Sequence, residues 1–209
     1  MILFPHFIGA APRLRAAIIT VALASALALP AAPSRAADTG AWTLDQLMTT
    51  LAQRKSGRAT FTETKYLAIA EQPIESSGEL LFIAPDHLEK HTLRPKPERL
   101  VVDGGTVSIT RNDRQRTISL ESYPELGAFI ESIRATLSGN RDALERVYQV
   151  AVAGSGDDWS LVLTPLDSRM RRVISRITLG GTGGDLLTVE IRQPGGDHSQ
   201  MRIRPVDTH

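Results

Sequence analysis

The spacing of apolar residues changes along the chain from a helical period to a strand period of two. A helix is predicted over residues 44–54, where Thr43 can cap the first turn and Gly57 follows the last. From Arg58 onward, β-forming residues alternate between two faces, which is typical of strands. Strands are predicted at residues 58–69, 78–84, 87–93, 99–102, 106–111, 116–120, 148–152, 159–164, 173–179, 186–192 and 199–204.

A second helical segment, residues 122–138, interrupts this series of strands. Ser122 can cap it, Pro124 suits its first turn and Gly139 follows its end, while Asn140 can cap a shorter helix after it. Long crossover helices between strands are missing, which favours an antiparallel sheet. We therefore predict an α+β fold with one curved antiparallel sheet of about ten strands and about three helices. The apolar stripe of the long helix is Leu126, Phe129, Ile130, Ile133 and Leu137.

Residues 80–83 form a continuous apolar run, although a strand with one wet face needs apolar residues only at alternate positions. A strand that is apolar on both sides lies between two dry surfaces. One surface is the core beneath the helices. The other is either the wall of an apolar cavity or the underside of the N-terminal helix at Leu81 and Ile83, and the pattern leaves both open.

Residues 1–36 are typical of a secretory signal peptide. They contain Arg13 and Arg15 without acidic residues, then an apolar run of about 14 residues, then Ser34-Arg35-Ala36. This run is shorter than the ~20 residues that span a bilayer, which disfavours the alternative of an N-terminal membrane anchor. We expect cleavage near Ala36 and a single domain over residues 37–209.

The composition excludes several classes of function. The absence of Cys excludes disulfides, thiol catalysis, zinc–cysteine sites and acylation of an N-terminal cysteine. The chain has 24 Lys and Arg against 23 Asp and Glu, and three of the arginines precede residue 37, so the remainder carries a net charge of −2. That balance disfavours a nucleic-acid-binding protein.

The sequence predicts no catalytic, cofactor or metal site. Ser155 lies in a glycine turn that lacks the G-x-S-x-G spacing of a nucleophile elbow. His87 and His91 project from one side of a strand, and no cluster of carboxylates and histidines supports a metal there. We therefore do not expect an enzyme.

Three segments occur in an order that resembles the LolA-like periplasmic outer-membrane lipoprotein carriers, and more closely a LolA-related subgroup. They are ATFTETKYL, SSGELLFIAPDHLEKHTLRPKPERLVVDGGTVSI and WSLVLTP. The resemblance implies an incomplete, strongly curved antiparallel β-barrel with helices as a lid over an apolar cavity for acyl chains. It also implies a monomeric carrier without cofactors in the periplasm, loaded by an inner-membrane exporter and unloaded at an outer-membrane receptor.

One position departs from the family pattern. Carriers of this family commonly have an arginine before the hairpin proline, but here Ala84 precedes Pro85, whereas the apolar residue three positions beyond is kept as Leu88. This puts the usual exporter partnership in question and keeps the apolar cavity. Because LolA-related proteins also occur beside genes for other envelope lipids such as aryl polyenes, the cargo is either a lipoprotein or another lipid.

We expect the cavity to be lined from the strands and from the long helix, with Leu81 and Ile83 as the alternative set if the strand faces the other way. The expected lining residues are Phe61, Leu80, Phe82, Leu88, Leu100, Val102, Leu126, Phe129, Ile130 and Ile133.

Two other functions stay open: a non-catalytic binding or scaffold protein, and an envelope-lipid enzyme that uses His87, His91 or a carboxylate.

Overall fold

The structure is a computed structural model that describes residues 40–206, so the expected signal peptide and its cleavage site lie outside the described residues. The helices are α1 (Leu44–Leu51), α2 (Pro124–Leu137), α3 (Arg141–Val147) and α4 (Ser168–Arg171). The strands are β1 (Ser56–Tyr66), β2 (Ile74–Ile83), β3 (His87–Arg94), β4 (Glu98–Asp103), β5 (Thr106–Arg111), β6 (Arg114–Ser119), β7 (Tyr148–Ser155), β8 (Asp158–Pro165), β9 (Arg176–Thr182), β10 (Asp185–Arg192) and β11 (His198–Val206).

All eleven strands belong to one antiparallel sheet with the order β6-β5-β4-β3-β2-β1-β11-β10-β9-β8-β7. Most neighbours in space are also neighbours in sequence, and the pairing of β1 with β11 joins the two halves of the sheet. Strands β6 and β7 are the two edges, so the sheet is curved but not closed. The predicted fold class, an open antiparallel sheet with helices, is confirmed.

Several element boundaries differ from the sequence-based predictions. Ser122 does not cap α2: it lies in a short 3₁₀ turn, and the helix begins at Pro124 after Tyr123. The strand predicted from residue 173 begins only at Arg176, because Asp167 caps the short helix α4 and its side chain accepts hydrogen bonds from two backbone amides of that helix. The caps predicted at Thr43 and Asn140 are confirmed.

One face of the sheet is apolar on most strands, and we call it the inner face because the helices pack on it. Phe82 of β2 lies opposite Leu88 of β3, which lies opposite Val102 of β4. In the other half of the sheet, Leu161 of β8 lies opposite Leu179 of β9. Directly opposed residues project from the same face, so the alternating apolar residues of successive strands form a continuous surface.

Two groups of buried side chains attach the helices to the inner face. The larger one lies over β7–β10, where Leu47 of α1 packs with Leu161. The smaller one lies over β4 and β5, where Ile130 of α2 packs with Val102. Phe129 of α2 contacts both groups. The central strands β2, β1 and β11 therefore lie between two packed regions.

The close pairing of β2 with β3 beneath this central region depends on Gly78. A Cβ atom at Gly78 would lie 1.8 Å from the backbone oxygen of His91, a contact that only a backbone shift could relieve. We expect Gly78→Ala to lower the free energy of unfolding by about 1–3 kcal/mol or more, as overpacking does. Urea unfolding followed by circular dichroism measures the change.

Gly195→Ala is the matched control, since a Cβ atom there meets nothing within 4 Å. It should leave the free energy of unfolding unchanged or slightly raised, because alanine restricts the unfolded chain. Equal effects of the two substitutions would contradict the close approach of β3 to Gly78.

Candidate functional site

A pocket of about 650 Å³ lies on the inner face of the central strands, beneath α2. This volume is within the range of roughly 300–1,000 Å³ that small-molecule pockets occupy. Most of the wall is apolar, which is the lining that suits a hydrocarbon chain. The apolar part of the wall includes Ala59, Leu80, Phe82, Leu88, Leu100, Val102, Val107, Ile109, Val189, Ile191, Met201 and Ile203 from strands, and Leu126, Phe129, Ile130, Ile133 and Leu137 from α2.

Strand β2 shows how the sequence builds this wall. Leu80 and Phe82 lie on the inner face, whereas Leu81 and Ile83 lie on the outer face, where Leu81 is opposite Glu89. Ile83 is 46% exposed, and the buried residues of α1 belong to the cluster over β7–β10. The apolar run in β2 therefore does not lie beneath α1; Leu80 and Phe82 border the pocket from the inner face, and Ile83 faces solvent.

Helix α2 covers the pocket with its apolar stripe and packs its small side chains elsewhere. Ser132 and Thr136 are buried, and their hydroxyl groups donate to the carbonyl oxygens of Phe129 and Ser132 within the helix. These hydrogen bonds within the helix satisfy the donor capacity of both hydroxyl groups. The hydroxyl of Tyr148 donates to the carbonyl of Ala128 at 3.4 Å, and burial raises the pKa of Tyr148 to about 12, so the phenol stays neutral.

Arg134 ties α2 to the turns beside the pocket. Its guanidinium donates to the carbonyl oxygen of Gly104 at 3.1 Å and lies 3.5 Å from a carboxylate oxygen of Asp86. The Arg134 side chain is only 14% exposed, so this contact is partly shielded from water. The β2–β3 and β4–β5 turns are thereby held to one helix, and α2 has a polar attachment beside its apolar stripe.

The apolar wall contains one buried polar group, Glu63, which is not among the residues expected from the sequence to line the cavity. Glu63 is 5% exposed, and Lys90 Nζ lies 2.5 Å from one of its carboxylate oxygens. Lys65 Nζ lies 3.6 Å from the other oxygen, and the hydroxyl of Ser76 is 3.4 Å from the first. The alternation of residues along β1 places Glu63 on the same face as Phe61. This alternation was the sequence signal that Glu63 lies on the inner face.

Nine of the ten residues expected to line a cavity border this pocket, and the tenth, Phe61, does not. Phe61 is 2% exposed, and Lys90 covers it with its ammonium 4.8 Å from the ring centroid. The expected set also omitted the second half of the wall, which comes from β10 and β11. Its residues, such as Met201 and Ile203, alternate with polar ones, but sequence alone does not show that β11 returns beside β1.

The two histidines considered for chemistry lie on the outer face, away from the apolar wall. His87 and His91 donate to the two carboxylate oxygens of Glu89 at 2.9 and 2.7 Å, and Arg99 donates to Glu89 at 3.0 Å. Burial raises the pKa of Glu89, but the hydrogen bonds from His87, Arg99 and His91 outweigh burial and lower the pKa from 4.5 to about 2. Within residues 40–206, no group of three or more His, Cys, Asp or Glu side chains, including this one, is arranged to hold a metal ion.

Comparison with known proteins gives one family match that covers most of the chain. A family model described as "Outer membrane lipoprotein carrier protein LolA-like" matches residues 31–204. An outer-membrane lipoprotein carrier protein of Dechloromonas aromatica (strain RCB) is 28% identical over 167 residues, which cover 78% of this chain and 76% of that protein. Residues 40–206 contain no helix with the length and hydrophobicity needed to cross a membrane.

Solved structures with a similar arrangement are distant in sequence. A LolA superfamily protein from Nitrosomonas europaea is 9% identical, with a TM-score of 0.41 and coverage of 79% of this chain and 93% of that chain. A putative outer membrane lipoprotein-sorting protein domain from Vibrio parahaemolyticus is 13% identical, with a TM-score of 0.42 and coverage of 79% and 92%.

The Glu89 network predicts an acid-dependent part of the free energy of unfolding. Since the folded-state pKa is depressed, the ionised carboxylate stabilises the fold above about pH 4.5, and this contribution is lost as the pH falls towards about 2. We expect Glu89→Gln to lower the free energy of unfolding by roughly 1–3 kcal/mol at pH 7. The variant should also lack this part of the pH dependence in urea unfolding between pH 7 and pH 2.

Glu79→Gln is the control, because Glu79 is exposed on the same face of the sheet. It should keep the wild-type pH dependence. A Glu89→Gln variant with the wild-type dependence would show that the network does not hold the carboxylate in its ionised form.

Proposed function

Because the chain belongs to the family of LolA-like outer membrane lipoprotein carrier proteins, we propose that it is a carrier that binds the acyl chains of lipoproteins or other envelope lipids in the pocket beneath α2. The observation that carries this proposal is the apolar wall formed jointly by the central strands and the α2 stripe. The proposed location is the periplasm, in keeping with the family and with the expected signal peptide. The proposed direction of transport is towards the outer membrane.

The energetics of burial suit a carrier. Each buried CH₂ contributes about 0.8 kcal/mol, so a chain of ~15 CH₂ groups gains roughly 12 kcal/mol relative to water. That free energy corresponds to a Kd of about 1 nM. Against a membrane the net gain is small, because the bilayer interior is equally dry. Direction must therefore come from partners, which we expect to be an inner-membrane exporter and an outer-membrane receptor.

Two observations favour a carrier over an enzyme. The polar side chains considered for catalysis, His87 and His91, hydrogen-bond Glu89 on the outer face. On the inner face, the buried carboxylate of Glu63 forms a salt bridge with Lys90, so it is not a free acid or base. Transfer of a lipid between membranes requires no bond to be made or broken, so no cofactor is part of the proposal.

Purification of the protein from its native envelope, followed by solvent extraction and mass spectrometry, tests the proposal. Co-purifying acylated protein or lipid in stoichiometric amount supports a carrier. An empty protein that also fails to take up acyl probes would contradict it and favour the scaffold alternative, in which the surface binds a protein partner.

Leu100 and Val101 provide a matched pair of substitutions on the two faces of β4. Leu100 lies in the pocket wall, whereas Val101 lies opposite Ser108 on the outer face. A carboxylate in the wall must lose its hydration when a hydrocarbon chain binds, so we expect Leu100→Glu to weaken binding of a fluorescent acyl probe at least about ten-fold. Probe titration measures the affinity.

Val101→Glu should bind the probe as the wild type does, and circular dichroism should show both variants folded. If Leu100→Glu binds the probe normally, or if both substitutions weaken it equally, the probe does not occupy this pocket.

We also propose that α2 moves when a chain enters, and Arg134 is the polar contact that attaches α2 to the β2–β3 and β4–β5 turns. Local opening exposes backbone amides at less cost than global unfolding. We expect Arg134→Gln to speed hydrogen exchange in α2 without changing exchange in β8 and β9, and we expect added lipid to slow it again. Mass-spectrometric hydrogen exchange measures both effects.

Arg141→Gln is the control for this experiment, because Arg141 bridges Asp45 of α1 and Glu145 of α3 and does not attach α2 to the turns. It should leave exchange in α2 unchanged. Exchange of α2 only together with the whole sheet, in every variant and with or without lipid, would exclude gating by this helix.

A further inference from the structure

Glu63, Lys65 and Lys90 form a group of charged side chains in the wall of the pocket, and this group has more positive than negative charge. One carboxylate, Glu63, faces the ammonium groups of both Lys65 and Lys90. The side chain of Glu63 is 6% exposed, whereas those of Lys90 and Lys65 are 25% and 48% exposed. A ligand in the pocket therefore meets the two ammonium groups before it meets the carboxylate.

The other carboxylates near the pocket form no salt bridge with Lys65 or Lys90, whose common partner is Glu63. Asp185 is paired with Arg54, and Asp197 accepts a hydrogen bond from the backbone amide of Ala68 after the end of β1. Glu89 is held by Arg99 and the histidines on the outer face. The local charge around Glu63 is thus that of two cations and one anion.

An ammonium group whose charge is not fully balanced attracts an anionic group. The wall around it includes Leu80 and Leu100, the cross-strand neighbours of Lys90, and Met201, the neighbour of Glu63. The Lys90 side chain is only 25% exposed, so the attraction between opposite charges is stronger there than at a fully open surface. The same surroundings fit the hydrocarbon chain to which an anionic group is attached.

We propose that Lys65 and Lys90 bind the anionic headgroup of an acyl amphiphile whose chain lies along the apolar wall; this rests on the proposed function of the pocket. The simplest ligand of this class is a long-chain fatty-acid carboxylate. Glu63 is the resident counter-ion, which keeps the two ammonium groups in place when the pocket is empty and competes with the ligand headgroup when it is filled. An anionic ligand is thereby selected over a neutral ester of the same chain length.

The test compares palmitate with methyl palmitate at pH 8, each displacing a neutral fluorescent acyl probe from the full wild-type protein. One additional hydrogen-bonded charge pair corresponds to an affinity for palmitate that is about ten-fold or more above that for the ester. This preference should fall as salt is added, because the lysines are partly exposed. The comparison needs no substituted protein, so it does not depend on the folding of any variant.

Two substitutions on opposite sides of the ion pair have opposite expected effects. Lys90→Gln should reduce the preference for palmitate about ten-fold, whereas Glu63→Gln removes the competing carboxylate and should increase it. Lys96→Gln, on the exposed β3–β4 loop, should leave the preference unchanged. A purely structural role for the pair predicts instead that both substitutions weaken palmitate and methyl palmitate equally.

The outcomes separate this inference from the proposed function. Equal affinity for palmitate and methyl palmitate overturns headgroup selection and leaves acyl binding intact. Failure of the folded wild-type protein to bind the neutral probe and both ligands overturns the proposed function itself. A palmitate preference that Lys90→Gln abolishes and Glu63→Gln enlarges establishes both.

Discussion

The structure depends on one constraint: the sheet has an apolar inner face that is larger than its short helices can cover by close packing. The face runs through cross-strand neighbours from Val107 near one edge to Val150 near the other. Apolar surface exposed to water is costly at about 25 cal/mol per Å². Helices α1, α3 and α4 remove the β7–β10 part of this face from water. Helix α2 covers the remaining part and leaves the pocket between itself and the central strands.

Helix α2 meets two requirements because its two sides differ in side-chain size. Its small residues, such as Ala135 and Thr136, are buried and pack closely. Its large residues, such as Ile133 and Leu137, border the pocket and are only partly buried. A helix with large residues on both sides would either fill the pocket or stand away from the core. The pocket is therefore a consequence of side-chain volume as much as of the curvature of the sheet.

A buried carboxylate, Glu63, and a partly buried one, Glu89, lie on opposite faces of the sheet and show how partners determine what an acid can do. Glu89 has Arg99 and two histidines around it, so its ionised form is strongly favoured and its role is structural. Glu63 lies on the apolar side with one close lysine and a second lysine farther away. A buried charge must be paired, but the pairing of Glu63 leaves a cation in excess beside a hydrocarbon-lined wall. That asymmetry is what makes the inner site, and not the outer one, suited to a charged ligand.

Local spacing in the sequence determined the strands and the stripe of α2, because a period of two or 3.6 reports which side chains share a face. Because Leu81 and Ile83 are also apolar, it left open which face of β2 is the inner one. It also grouped Leu80, Phe82 and Leu88 as expected lining residues, because the turn at Pro85 joins β2 to β3 and makes these two strands neighbours. It could not show that β11 returns to pair with β1, nor that Lys90 reaches Glu63 across 27 residues, because such contacts depend on how the whole sheet is ordered. Only the tertiary structure therefore decided that Met201 and Ile203 complete the wall, that Phe61 lies covered outside it, and that its polar group carries a net positive charge.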